Sequence, residues 1–310
     1  NSELFRKSSK NFKEGPINLE KAKEITFGEE NTESFDETKK INEKFYKYNE
    51  TVKKVKKSKK DEYENEKNIL KLIKSKQIVE NKNSNVIELY NYGNWDKNTH
   101  VLVLEFGGES LYSYWGKNAG EANIFVAVKF ITQIAEILQT IHSYNIIYLD
   151  LKLENLVIYE NNLKIIDFGI SKILSKNELK KCKEYDEECR SNLVINNNVK
   201  IGTERYMSPE HSKNKKSVSQ KSDIYSFGIL SYILLHNSIN KIFNLPYLFG
   251  NYEFIDEKIE DKKEKNIALK LKKLIEECMK RKPEERPNAT IVLKQLDEIS
   301  RMKEEEKNVE

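Results

Sequence analysis

Two short polar motifs carry the residue types that phosphoryl transfer requires. Residues 148–155 read Y-L-D-L-K-L-E-N and supply Asp150, Lys152 and Asn155, and a D-F-G triplet begins at Asp167. In such chemistry one carboxylate orients the attacking hydroxyl, while an amide and a second carboxylate hold a divalent metal ion. A lysine balances the charge that develops on the moving phosphoryl group. The two motifs therefore predict a phosphoryl-transfer site if the fold brings them together.

Regular elements are needed to position these side chains. Short apolar runs at 145–148 and 163–166 flank the first motif. A long segment at 124–144 has apolar residues at helical spacing and predicts a core helix that fixes Asp150 in place. Further helices are expected at 61–75, 223–235, 265–279 and 289–307, and strands at 50–55, 86–92 and 100–106.

Two further motifs extend the pattern, G-T-E-R-Y-M-S-P-E at 202–210 and S-D-I-Y-S-F-G at 222–228. Together the four motifs resemble the signature of the eukaryotic protein-kinase superfamily in its serine/threonine form. The resemblance implies an α+β, bilobal kinase-like fold, with a small β-rich lobe carrying one main helix and a larger, mostly helical lobe. It divides the chain into an amino-terminal extension at 1–24, a first lobe at 25–106, and a hinge and second lobe at 107–310 that includes a long activation segment at 167–210.

The resemblance assigns roles to five residues of the second lobe. Asp150 would accept or orient the proton of the substrate hydroxyl, Lys152 would neutralise the transferring phosphate, and Thr203 would contact both. Asn155 and Asp167 would bind magnesium, because oxygen donors that leave positions open for phosphates suit that hard ion. The implied cofactors are ATP and Mg²⁺, with Mn²⁺ as the alternative metal.

The nucleotide would also need contacts from the first lobe. Lys53 in E-T-V-K-K-V matches the strand lysine that contacts phosphates, and Glu66 in N-E-K-N-I-L matches the helix glutamate that pairs with it. A solvated Glu66 is the alternative on a lysine-rich helix. Lys54 points to the opposite strand face and is expected to be solvated. The remaining contacts to adenine are expected from Leu104, Glu105, Phe106, Gly107 and Val157.

The glycine loop of the family is atypical here. Its expected place is N-T-E-S-F-D at 31–36, where Asn31, Glu33 and Asp36 replace the three glycines. The two acidic residues add negative charge where phosphates would lie, which predicts weak nucleotide affinity. A shifted loop anchored by Gly28 is the alternative. In lacking these glycines the chain is similar to a group of active kinases secreted by apicomplexan parasites.

Leu149 marks a second departure from the family pattern. It replaces the arginine that usually pairs with a phosphate on the activation segment, and leucine cannot make that contact. Phosphorylation of this segment is therefore not expected to switch the enzyme by the common route. The replacement predicts constitutive activity or control by a regulatory protein partner.

Three structural contacts follow from the same resemblance. Tyr148, where the family has histidine, is expected to pack against Phe168. Glu210 and Arg286 are expected to form a buried pair that braces the second lobe. Asp223 is expected to tie its helix to the backbone of residues 148–155, called the catalytic loop below.

Three functions from different classes are compatible with these residues. The first is an ATP-dependent serine/threonine protein kinase, and we favour it because the metal and lysine positions that pseudokinases usually lose are intact. The second is a pseudokinase scaffold or allosteric regulator, motivated by the replaced glycines and by Leu149. The third is a kinase fold acting on a small molecule or lipid. It is disfavoured because Thr203, the S-P-E segment and Arg286 match the peptide-binding platform of protein kinases.

Composition limits the partners and the compartment. The net charge of +4 is spread over interleaved lysines and acids, which argues against nucleic acid. No apolar run approaches the length of a membrane span. Cys182, Cys189 and Cys278 lack metal-ligand spacing, so reduced thiols and a cytoplasmic location are the simplest expectation. The alternative is a Cys182–Cys189 pair in an oxidising place, such as a secreted or vacuolar parasite compartment.

Overall fold

The computed structural model describes residues 50–80, 85–118, 120–183, 186–196, 202–212, 217–241 and 259–301. Their contacts form two compact units, one made of 50–60 and Leu89–Phe106 and the other of the remaining described residues. Expectations for the extension at 1–24, for Gly28 and for the glycine loop at 31–36 lie outside the described residues.

The first unit is a three-stranded antiparallel sheet. It consists of β1 (Glu50–Lys56), β2 (Leu89–Asn94) and β3 (Thr99–Glu105), in the order β1-β3-β2. Lys53 lies opposite Leu102 on the central strand, so the strand predicted to carry this lysine is confirmed.

Lys54 is not the solvated side chain that strand alternation predicted. Its Nζ lies 4.4 Å from the centroid of the Trp95 ring and its side chain is half-buried. Trp95 follows β2 and packs with Val52 and Val101 in a small apolar cluster. The aromatic face therefore covers the lysine in a cation–π contact, which alternation along one strand could not predict.

The second unit is mostly helical. Its described helices are α1 (Lys60–Glu80), α2 (Leu111–Asn118), α3 (Ile124–Ser143), α4 (Lys176–Leu179), α5 (Glu187–Ser191), α6 (Pro209–Ser212), α7 (Gln220–Asn240), α8 (Lys262–Cys278) and α9 (Ala289–Arg301). Helix α3 packs against α7 and α9, and α8 packs against α7. The α+β fold class predicted from the sequence is confirmed.

Short strands shape the part of this unit that carries the motifs. They are β4 (Glu109–Ser110), β5 (Ile146–Ile147), β6 (Leu156–Tyr159), β7 (Asn162–Ile165), β8 (Lys172–Ile173), β9 (Ile195–Asn196) and β10 (Ser217–Val218). They form an antiparallel sheet in the order β4-β6-β7 and two antiparallel pairs, β5 with β8 and β9 with β10. Residues 148–155 connect β5 to β6, and Asp167 follows β7.

Helix α3 is the central scaffold of the second unit. Its N-cap, Asn123, accepts a hydrogen bond from the Val126 amide, and its apolar stripe is buried, so the core helix predicted at 124–144 is confirmed. Among the described residues, α3 alone has the length and apolar composition of a membrane span. Since 56% of that stretch is buried inside the protein, its apolar composition is explained by packing in the core.

Candidate active site

The backbone of the catalytic loop is held by one buried carboxylate. Asp223 on α7 accepts hydrogen bonds from the amides of Tyr148 and Leu149, each at 2.8 Å, and lies 2.9 Å from the ring of His142. The expected tie between α7 and this loop is confirmed. Leu149 has φ 72°, a left-handed conformation that costs an L-residue about 1–2 kcal/mol. The bond to Asp223 helps to hold that conformation.

The predicted catalytic side chains form one hydrogen-bonded network. Lys152 Nζ lies 2.6 Å from Asp150 Oδ2, and Thr203 Oγ1 lies 3.0 Å from Asp150 Oδ1. Lys152 Nζ also donates to Thr203 Oγ1 at 3.1 Å. Asn155 Nδ2 donates to the main-chain oxygen and to Oδ2 of Asp150, at 3.0 and 2.9 Å. The expected contacts of Thr203 with the aspartate and the lysine are confirmed.

The D-F-G turn lies next to this network. The Ile166 amide donates to the Asn155 carbonyl at 3.0 Å, which joins the start of the turn to the catalytic loop. Asp167 has φ 66°, and its Oδ1 accepts a bond from the Gly169 amide at 3.3 Å. A non-glycine residue in this region is strained, and such strain commonly occurs at functional sites.

Tyr148 packs against this turn and hydrogen-bonds its backbone. Its ring packs edge-on against Phe168 with centroids 5.2 Å apart, as predicted, and its hydroxyl donates to the Ile166 carbonyl. Burial, and then the charge of nearby carboxylates, Asp167 foremost, raise the pKa of Tyr148 well above its usual value. The hydroxyl therefore stays protonated and remains a donor.

Helix α1 presents two polar side chains near the turn. Glu66 is 1% exposed, so the alternative of a solvated glutamate is wrong. Its pairing with Lys53, which belongs to the first unit, stays a prediction. Asn65, one residue earlier, donates to the carbonyls of the turn but was not singled out from the sequence. A polar residue beside a known motif position gives no periodic signal.

The two glycines of the hinge are required by close packing against β6. A Cβ at Gly107 would lie 2.5 Å from Val157 Cγ2, and one at Gly108, which has φ 77°, would lie 2.0 Å from the Ile158 carbonyl oxygen. Val157, the expected adenine floor, is buried. The other predicted hinge residues belong to the first unit and are the buried Leu104 and the half-buried Glu105 and Phe106.

Leu149 lies in an apolar cluster with residues of the activation segment. The buried members are Ile147, Leu149, Leu174 and Val218, and the partly buried side chains against them are Ile170, Leu179, Leu193 and Ile195. Where the family pattern has an arginine that binds phosphate, this chain therefore holds its described activation segment through aliphatic contacts.

The activation segment is also cross-linked within itself and joined to the rest of the helical unit by an ion pair and a hydrogen bond. Cys182 and Cys189 form a disulfide with Cα atoms 5.7 Å apart, so the expectation of reduced thiols is wrong for this pair. Next to it, Glu188 on α5 lies 2.7 Å from Nζ of the fully buried Lys221 and accepts a bond from Asn288 at 3.0 Å. The sequence did not indicate this ion pair, because its partners are far apart in the chain.

Glu210 and Arg286 form the predicted buried pair. Two guanidinium nitrogens of Arg286 lie 2.7 and 2.8 Å from the two oxygens of Glu210, and Ser222 donates to the same carboxylate at 3.0 Å. Burial alone would raise the pKa of Glu210, but the hydrogen bonds and charge of Arg286 outweigh it and lower the pKa overall. The carboxylate is therefore stabilised in its ionised form.

Comparison with known proteins assigns the chain to a family. A family model described as the protein kinase domain matches residues 34–296. The chain belongs to the protein kinase family. It is similar to a probable serine/threonine-protein kinase of Clostridium acetobutylicum, with 29% identity over 71% of this chain and 31% of that protein. It is also similar to the serine/threonine-protein kinase MPS1 of Encephalitozoon cuniculi, with 30% identity over 66% of this chain and 32% of that protein.

Another kinase relative is covered over a larger share of its length. It is a calcium/calmodulin-dependent serine/threonine-protein kinase of Malus domestica, with 28% identity over 70% of this chain and 50% of that protein. The chain thus spans 31 to 50% of the length of these relatives.

Proposed function

We propose that this protein kinase domain transfers the γ-phosphoryl group of ATP to serine or threonine hydroxyls of a protein substrate. The observation that carries the proposal is the network in which three side chains bond the Asp150 carboxylate. In this proposal Asp150 orients the hydroxyl and accepts its proton, and Lys152 neutralises the charge on the transferring group. Because hydrogen bonds already fix both groups, little reorganisation is needed during the reaction.

The preference for serine and threonine rests on Lys152 and Thr203. Their side chains meet at 3.1 Å and both reach the Asp150 carboxylate, the arrangement implied by the resemblance to serine/threonine kinases. The relatives to which the chain is similar are serine/threonine-protein kinases, which agrees with this preference.

Asn155 and Asp167 are the proposed ligands of Mg²⁺. Both hydrogen bonds of the Asn155 amide use Nδ2, which leaves Oδ1 as an oxygen ligand, and Asp167 adds a carboxylate. Hard oxygen donors of this kind suit Mg²⁺, and Mn²⁺ as a substitute. In the described parts of the chain, no group of three or more His, Cys, Asp or Glu side chains could hold a metal by itself. When bound, the metal would neutralise phosphate charge, and the phosphates of ATP would complete its coordination.

The remaining nucleotide contacts are proposed from the resemblance alone. Lys53 and Glu66 would serve the phosphates, and Leu104, Glu105, Phe106, Gly107 and Val157 would serve the adenine. Weak affinity for ATP is proposed because Glu33 and Asp36 replace glycines of the expected loop.

Control of this activity is proposed to be independent of a phosphate on the activation segment. The supporting observation is that Leu149, at the position of the family's arginine, is buried among aliphatic side chains, and a leucine side chain cannot bind a phosphate. Constitutive activity or a regulatory protein partner would then replace the phosphate switch.

The compartment is also a proposal. Cytoplasmic location was the simplest expectation from the sequence, but the Cys182–Cys189 disulfide favours the alternative, an oxidising compartment of the secreted or vacuolar kind. The resemblance to secreted parasite kinases that was expected from the replaced loop glycines would agree with that alternative.

The deciding experiment compares wild type with Asp150→Asn, which keeps the shape of the side chain and removes its charge. Both are dephosphorylated and then assayed with a generic serine/threonine peptide, magnesium and radiolabelled ATP. We expect Asp150→Asn to lower the rate by at least about 100-fold, a typical contribution of a general base. Asp297→Asn, an exposed aspartate on α9, is the matched control and should leave the rate unchanged.

The same assay separates the alternatives. Equal rates in wild type and Asp150→Asn would contradict the catalytic role of Asp150. An inactive wild type that still binds magnesium-ATP in calorimetry would favour the pseudokinase scaffold. If wild type is active before dephosphorylation and inactive after it, the proposal that a phosphate on the activation segment is not needed for activity is wrong.

A further inference from the structure

The carboxamide of Asn65 contacts three carbonyl groups among the four residues that follow Asp167. Its Nδ2 lies 3.0 Å from the Phe168 oxygen, 3.0 Å from the Gly169 oxygen and 2.9 Å from the Ser171 oxygen. An amide nitrogen has two hydrogens, so the three acceptors share them, and all three oxygens must point toward α1. This one side chain therefore sets the direction of the backbone that follows Asp167.

That backbone is tightly packed and strained. Asp167 has a left-handed φ of 66°, and the Ser171 amide closes the turn by donating to the Phe168 carbonyl at 3.2 Å. A Cβ added at Gly169 would lie 3.5 Å from Cβ of Glu62, so the turn lies directly on α1. Three carbonyl dipoles aimed at one point repel each other unless a donor lies between them, and Asn65 is that donor.

The far side of the turn is fixed to the catalytic loop. The Ser171 hydroxyl donates to the Tyr148 carbonyl at 2.9 Å, two residues before Asp150. Asn65 on one side and Ser171 on the other thus hold the turn between α1 and the loop. A shift at Asn65 would move the Asp167 carboxylate relative to Asn155, its proposed partner at the metal.

We propose that Asn65 is a positioning residue for Asp167. It acts through the backbone of residues 168–171 and touches neither substrate nor metal. By anchoring this turn on the helix that carries Glu66, it sets where the Asp167 carboxylate meets the magnesium of the nucleotide complex. The inference rests on the proposed kinase function and adds to it a residue that determines how well magnesium is held.

The test is Asn65→Asp, which keeps the size of the side chain but places a carboxylate against three carbonyl oxygens. We expect kcat to fall about tenfold, the effect of losing roughly one hydrogen bond. We also expect the magnesium concentration for half-maximal rate to rise several-fold, while KM for the peptide stays unchanged. In hydrogen–deuterium exchange, the amides of residues 168–173 should exchange faster than in wild type.

The matched control is Asn68→Asp, which makes the same amide-to-carboxylate substitution at an exposed position of the same helix. It should behave as wild type in all three measurements. If Asn65→Asp does not fold, Asn65→Ala removes the donor without adding charge and should show the same changes in smaller size.

Two outcomes have separate meanings. Wild-type exchange at 168–173 together with a wild-type magnesium requirement, in either Asn65 variant, would overturn the proposal. If wild type itself transfers no phosphate, the proposed function fails. Hydrogen–deuterium exchange and calorimetric titration with magnesium-ATP would still test the positioning role of Asn65, since neither measurement needs turnover.

Discussion

At the scale of single residues, Thr203 shows how much one hydroxyl can contribute. It accepts a bond from Lys152 and donates to Asp150, and its own amide donates to the same carboxylate at 3.2 Å. Removing the hydroxyl leaves the lysine and the aspartate with fewer restraints, although the backbone bond remains. The effect should therefore appear in the reaction rate more than in the stability of the fold.

Thr203→Val is predicted to lower kcat by about 10- to 100-fold, because it removes hydrogen bonds to two charged groups while conserving shape. Thr203→Ser restores the hydroxyl and should recover most of the rate. Thr140→Val, which alters a half-buried threonine on α3 whose hydroxyl donates to the Glu136 carbonyl, is the control for a general effect of this substitution. Steady-state kinetics and thermal unfolding give the two readouts. A kcat within about twofold of wild type for Thr203→Val would contradict the argument.

The sequence indicated the candidate active-site residues that lie in ordered motifs. Asp150, Lys152 and Asn155 are so close in the chain that one loop brings them together. Asn65 and the ion pair of Glu188 with Lys221 could not be found this way. Their partners are backbone carbonyls or distant side chains, and such contacts depend on the packing of elements rather than on local pattern.

At the scale of elements, α5 is the anchor of the activation segment. This short helix begins at its N-cap, Asp186, and carries Glu188, whose two carboxylate oxygens reach Lys221 and Asn288. The Cys182–Cys189 disulfide joins α5 to the residues that follow α4. The aliphatic cluster around Leu149 contacts the same segment at several positions between residues 170 and 195. Three kinds of interaction thus stabilise the described part of a segment that the family commonly orders with a phosphate.

The double substitution Cys182→Ser with Cys189→Ser is predicted to raise proteolytic cleavage within residues 176–196. The lost cross-link closes a short loop and is worth at most about 2.5 kcal/mol in the chain-entropy model. A reductant should make wild type as sensitive as the variant and leave the variant unchanged.

Alkylation and mass spectrometry of protein from its own cells would count free thiols among Cys182, Cys189 and Cys278. One free thiol is expected for an oxidising compartment and three for a reducing one. Equal cleavage of oxidised and reduced wild type would contradict the anchoring role.

Helix α1 shows why element ends are harder to predict than elements. The inward spacing of apolar residues ends near residue 75, yet the helix continues to Glu80, and Ile78 and Val79 are largely exposed. No glycine or proline interrupts this stretch, and Tyr144 donates to the Glu80 carboxylate at 3.0 Å in the last turn. A tertiary contact therefore supports a turn that amphipathic periodicity could not indicate.

At the scale of the whole molecule, buried charges brace the helical unit. Arg286 bonds both oxygens of Glu210, and its main-chain oxygen accepts a bond from Lys221. Lys221 in turn pairs with Glu188 of the activation segment. Breaking a buried pair leaves a charge without compensation, which costs about 3–5 kcal/mol. The stability of the unit should therefore depend on the ionisation of the Glu210 carboxylate.

Global stability is predicted to fall in acid partly through Glu210. Its pKa is lower in the folded protein than the ordinary value of 4.5, so the pair contributes fully above that value and is lost as pH falls through the folded pKa. Glu210→Gln should be less stable than wild type near pH 7 by about 3–5 kcal/mol and should show a flatter decline below about pH 4.5. Glu298→Gln, on an exposed position of α9, should follow wild type. Denaturant titrations at several pH values measure both, and parallel curves for wild type and Glu210→Gln would contradict the prediction.

The packing at Gly108 has a consequence for the history of this protein. With φ at 77° and the Ile158 oxygen 2.0 Å from where any Cβ would stand, every other amino acid collides with the neighbouring strand. Amino-acid replacements at this position should thus be removed by selection in every lineage that keeps the domain folded, whatever its substrate specificity. Glycine at 108 would then persist even in lineages that change other glycines of the domain.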